Sequence, residues 1–279
     1  MKKSLFVEMK LQAGTEKLAE ALLLRGFPVE LENEFISLRN GSQQDLHQLE
    51  IFLETLNVPV FWSESRFQLL TNHFPLHKVK EIVHFKGRQH SVHMESYHFK
   101  WRSFVNRRYG IRTNTISLCP YTAIMVKALN EAGIVALAGC NGHGKHNPNF
   151  QLSGVYYGIW FSIIQERYMQ ALKLHYKWNV KFIREASNSI IVANKPEEDK
   201  WDMNKVLADC YQMANVLTEH AAELREWKRR TFKRKMKQKA ETFKETRDMN
   251  QLFDWMNDIA TRNPSCTNES TPHILKLRI

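Results

Sequence analysis

Paired Cys-x-x-Cys motifs are missing from this sequence, and its four cysteines, Cys119, Cys140, Cys210 and Cys266, stand far apart. That spacing argues against a disulfide framework and a four-cysteine zinc site alike, so reduced thiols are expected. No run approaches the ~18 apolar residues that a membrane-spanning helix needs. The opening Met1-Lys-Lys-Ser-Leu-Phe-Val resembles the charged start of a signal peptide, but Glu8 and Lys10 interrupt it before an apolar segment develops. A cytoplasmic protein is therefore expected. There is no fixed-period repeat and no long low-complexity segment, and the hydrophobic share of 43% against 25% charged residues is that of an ordinary globular chain. At 279 residues the chain suffices for one large domain or two ordinary ones.

What the sequence has in excess is positive charge, and it has it locally. Of a net +11, residues 77–112 supply +7 and residues 221–250 supply +6, so the remainder is slightly acidic. Local excess favours a polyanionic partner over general solubility charge. In the first segment Lys and Arg alternate with histidines and with Phe85, Tyr97, Phe99, Trp101, Phe104 and Tyr109. Cations interleaved with aromatics suit nucleic acid, because cations neutralise phosphates and rings stack on unpaired bases. Residues 91–109 also fit a helix closed by Gly110, on which Tyr97, Trp101, Phe104 and Arg108 share one face, so these rings are equally well explained as core.

The expected fold is α+β, a small sheet flanked by helices, with an α-rich N-terminal part and a long C-terminal amphipathic helix. Residues 1–115 form the N-terminal region, with a helix over 15–25 ending at Gly26, a strand over 35–38 and a helix over 42–56. Residues 116–196 form a central helix–sheet unit: a helix over 121–132 stopped by Gly133, strands over 134–138, 150–153 and 158–164, a helix over 168–178, and a hairpin of 180–186 with 189–193. Residues 197–262 form a long helical region, and 263–279 a mobile tail in which 273–279 could add an edge strand.

In that third region Met203, Leu207, Cys210, Ala214, Leu217, Ala221 and Leu224 follow heptad spacing, a seam for an internal helix or for a second copy in a homodimer. Lys228 interrupts it. From there the run over 225–239 carries nine Lys/Arg, with Trp227 and Phe232 inside it. The cations expected to contact phosphate are Lys100, Arg102, Arg107 and Arg108 in the first segment. In the second they are Lys228, Arg229, Arg230, Lys233, Arg234, Lys235 and Lys237.

One further stretch carries chemistry, the loop 139–149, Gly-Cys-Asn-Gly-His-Gly-Lys-His-Asn-Pro-Asn. Its Gly139…Gly144-Lys145 spacing approaches a phosphate loop, but His146 stands where a magnesium-binding Ser/Thr belongs and a strand follows where a helix is required. Cys140, His143 and His146 have a spacing that can surround zinc, with a fourth ligand or a water completing the site. Cys140 with His143 or His146 as base could also serve as a nucleophile. Against all three stands the simplest account, glycines shaping a tight β-connection. The expectation is a nucleic-acid-binding protein, with a metal-assisted DNA- or RNA-processing reaction at the loop if the loop is functional. Its alternatives are a phosphate-ester or thiol-dependent enzyme acting on a small substrate, and a protein that assembles through the helical seam.

Overall fold

The computed structural model describes residues 9, 12–39, 43–87, 100–183, 188–196 and 200–262. Among these the fold is α+β, with ten α-helices and two four-stranded antiparallel sheets. Expected features at residues 91–99 and 263–279 lie outside the described residues.

The first sheet belongs to the N-terminal region, which is therefore not simply α-rich. Helix α1 (Gly14–Arg25) ends at Gly26, whose positive φ of 103° lets its N–H reach the carbonyls of Leu22 and Leu23. Strands β1 (Val29–Glu32) and β2 (Phe35–Leu38) form a hairpin whose turn starts at Asn33, with φ of 57°. Helix α2 (Gln43–Thr55) follows. Then β3 (Val60–Ser63) and β4 (Arg66–Leu69) form a second hairpin, turning at Glu64 with the same φ of 57°. Two-residue turns with positive φ match the twist of the strands they join. The sheet order is β1-β2-β4-β3. With helix α3 (Leu76–His84) it closes a core that includes Leu22, Phe52, Phe67 and Ile82.

Arg25 joins this unit to the rest. Its fully buried guanidinium donates to the carbonyls of Phe85, Thr115, Ile116 and Leu118 at 2.9–3.2 Å, fixing the segment that leads into the second sheet. Burial pushes its pKa down to about 10, which leaves it charged at neutral pH.

Helix α4 (Trp101–Asn106) and helix α5 (Ala123–Glu131) precede the second sheet. Its strands are β5 (Ala136–Cys140), β6 (Asn149–Leu152), β7 (Lys177–Ile183) and β8 (Asn188–Asn194), in the order β5-β6-β8-β7. The strand expected over 158–164 is instead part of helix α6 (Val155–Tyr168). Nine residues of α6, from Val155 to Ile164, are buried, and a helix buried all round has no polar face to reveal its period. Gly158 lets α6 sit directly on the sheet, since a Cβ there would lie 2.5 Å from Ser189 and 3.0 Å from Val180. Conversely, the helix expected over 168–178 is a connection leading into β7, and Leu172, Leu174, Tyr176 and Trp178 alternate along it as an extended chain would place them.

The long C-terminal helix is divided. Helix α7 (Met203–Glu219) is capped by Asp202, whose carboxylate accepts from the N–H groups of Asn204 and Lys205, and it stops at His220. Helix α8 (Ala221–Thr231), a short 3-10 turn, α9 (Lys237–Thr246) and α10 (Met249–Arg262) follow. The heptad seam is internal. Leu207 packs into the N-terminal core, Cys210, Ala214, Leu217 and Leu224 into the second core, and α7 lies against α5. Six of the seven seam residues are buried and Met203 is half-buried, so the face read as open to a second copy is covered by the chain itself.

Candidate nucleic-acid interface

The two basic segments, more than a hundred residues apart in sequence, pack against each other. On α4 the residues Trp101, Phe104 and Val105 turn inward, while Lys100, Arg102 and Asn106 remain exposed. The Trp101 indole N–H donates to the carbonyl of Lys233 at 3.4 Å, and the Arg234 guanidinium donates to the Asn106 side-chain carbonyl at 3.1 Å. The helix break after Thr231 makes this possible. It drops Phe232 into the core between Trp101, Phe104 and Trp160, with ring centroids 6.0, 5.6 and 5.4 Å away. Trp227 meets Trp160 at 4.8 Å, and Trp255 packs on both Trp101 and Phe243. Trp101, Phe104, Trp227 and Phe232 are thus each other's core and offer no faces for bases, whereas Tyr109 is exposed, with the Arg225 guanidinium 4.5 Å from its ring centroid.

The cations around that core divide into three groups. Lys100, Arg102, Arg108, Lys233, Arg234, Lys235 and Lys237 are exposed, and Arg107 is half-buried. Among the described residues no carboxylate pairs with Arg102, Arg108, Lys233, Lys235 or Lys237. Arg229 and Arg230 are exposed but share Glu226, whose pKa their hydrogen bonds hold down at about 2. The three side chains together carry a net +1.

Lys228 faces inward, only 1% exposed. The heptad spacing itself places it there, next after Leu224 on the seam. Its ammonium donates to the Gly133 carbonyl at 2.7 Å and lies 5.2 Å from the Phe104 ring and 5.7 Å from that of Tyr157. Burial, with Arg107 and Arg225 nearby, pushes its pKa down to about 7. Arg225 makes the parallel contact, donating to the Glu131 carbonyl at 2.6 Å. Both cations satisfy carbonyls at the C-terminal end of α5, where the helix dipole favours positive charge.

The loop after β5 is built for tightness. Gly142, His143 and Gly144 have φ of 71°, 52° and 73°, a run of left-handed residues that turns the chain into β6. The Asn141 side chain accepts from the His143 N–H at 2.9 Å and donates to the Pro120 carbonyl at 3.2 Å. Gly139 packs against α5, and a Cβ there would lie 2.9 Å from Val126. The half-buried Cys140 sulfur lies 3.7 Å from His143 Nε2 and accepts the Gly142 N–H at 3.4 Å. His146 is exposed, and no group of three metal-ligating side chains occurs among the described residues. The loop brings Cys140 and His143 together but supplies neither a third ligand nor a group that orients His143 from its other nitrogen among those residues. Burial raises the pKa of the neighbouring Cys119 thiol, which suits a packed side chain better than a nucleophile.

Comparison of the chain with protein-family models, with curated proteins and with solved structures finds no match.

Proposed function

We propose that the protein binds nucleic acid through the basic surface formed by α4, the end of α8 and the 3-10 turn before α9. The observation that carries this reading is the junction of the two basic segments around one aromatic core, with Arg102 and Arg108 on one side and Lys233, Lys235 and Lys237 on the other. Five exposed cations without carboxylate partners among the described residues form a surface that attracts phosphates and releases counterions on binding. Because Trp101, Phe104, Trp227 and Phe232 are buried and one face of the exposed Tyr109 ring carries Arg225, the contacts fall mainly on phosphate and sugar, and binding depends little on base sequence.

Two sets of substitutions test this by fluorescence anisotropy with a labelled oligonucleotide. Arg102→Gln with Arg108→Gln, and separately Lys233→Gln with Lys235→Gln and Lys237→Gln, should each weaken binding. Each lost phosphate contact should reduce the slope of log affinity against log salt by about 1. Unchanged affinity in either set would reject a joint surface.

A further inference from the structure

We propose that a lysine-lined cavity at the meeting point of β7, β8 and α7 binds the diphosphate group of a small ligand. The cavity has a volume of about 560 Å³, and its lining includes His175, Lys177, Asn194, Lys195, Lys200 and Lys205. Lys177 opens β7 opposite Asn194, which closes β8, and Lys205 lies in the first turn of α7. Cations from separate elements therefore surround one space.

Asp209 holds these elements in place. Its fully buried carboxylate accepts from the N–H groups of His175 and Tyr176, at 2.8 and 2.9 Å, from His175 Nδ1 at 2.9 Å and from the Trp178 indole at 3.0 Å. Four donors engage both carboxylate oxygens, so Asp209 locks the start of β7 to α7 without occupying the lysines. Asp202 caps α7 through the N–H groups of Asn204 and Lys205. Lys177, Lys200 and Lys205 have no carboxylate partner among the described residues, whereas Lys195 lies over the Trp201 ring and contributes less. Glu197, Glu198 and Asp199, in the intervening connection, fall outside those residues.

Lysine ammoniums only donate, so the matching ligand is an anion rich in acceptors. The space is too large for one phosphate and falls within the roughly 300–1,000 Å³ of small-molecule sites. A diphosphate offers acceptor oxygens at both of its ends to lysines held on different elements.

Calorimetric titration of the full chain with inorganic pyrophosphate at low salt tests the proposal. Saturable one-to-one binding is expected, with orthophosphate weaker by about tenfold, or ~1.4 kcal/mol. In a Lys177→Gln, Lys200→Gln, Lys205→Gln variant with an unchanged unfolding midpoint, pyrophosphate affinity should fall by at least about tenfold. The Lys233→Gln, Lys235→Gln, Lys237→Gln variant should bind pyrophosphate like the parent, which separates this site from the basic surface. Absence of saturable binding by about 5 mM, orthophosphate bound as tightly as pyrophosphate, or equal affinity in the cavity variant would overturn it.

Discussion

Replacing Lys228 by Met should change how stability depends on pH, and the buried ammonium fixes both sign and size. The ordinary lysine value is 10.5, and in the fold burial together with Arg107 and Arg225 pushes it down to about 7. Between those values the unfolded chain holds a proton that the folded chain releases, so Lys228 makes stability rise with pH across this window and leaves it flat below. A group moving from 10.5 to about 7 gains about 2 kcal/mol of stability between pH 7 and pH 9. The hydrogen bond to the Gly133 carbonyl and the two ring faces favour the charged form, so this is an upper figure. Urea unfolding followed by tryptophan fluorescence, on the parent and on Lys228→Met at both pH values, measures it. Cysteine and tyrosine titrations are common to both proteins and cancel in the difference. The parent should gain on the variant by up to about 2 kcal/mol at the higher pH. A difference that stays constant to within about 0.5 kcal/mol would refute a neutral, buried Lys228.

Other consequences follow from the same contacts. Arg25→Met should destabilise by about 3 kcal/mol or more, and Arg25→Lys should recover less than half of that, because one ammonium cannot replace a fork reaching four carbonyls; chemical denaturation measures both. In thermal unfolding, Gly139→Ala should cost about 1–3 kcal/mol through its clash with Val126. Gly144→Ala, which meets open space but sits at φ of 73°, should cost only about 1 kcal/mol. Metal analysis by mass spectrometry of the purified protein should give the same content before and after Cys140→Ser and His143→Ala. Stoichiometric zinc lost in either variant would instead establish a metal site at the loop.

Some of this architecture is legible in the sequence because it rests on local chemistry. Gly26 and Gly133 end helices α1 and α5 in the left-handed conformation that glycine permits, and the hairpin of β7 and β8 follows from two runs of strand-forming residues. Helix α6 is not legible, because burial on every side removes its period, and β1, β3 and β4 are only four residues long with partly exposed faces. Division of the C-terminal helix depends on tertiary packing. Phe232 leaves the helical path because Trp101, Phe104 and Trp160 accept its ring. The charge excess locates both basic segments, but only the fold shows that they adjoin and that Lys228 faces inward. In the loop, the glycines are explained by backbone angles and close packing; the spacing brings Cys140 within 3.7 Å of His143, and no group of three metal-ligating side chains occurs among the described residues.

Affinity for nucleic acid as a function of salt tests the account most directly. If about six phosphates are contacted, binding should weaken about a thousandfold between about 50 and 200 mM salt, and equally for oligonucleotides of unrelated sequence. Binding that is absent at the lower salt, or indifferent to salt across that range, would contradict it.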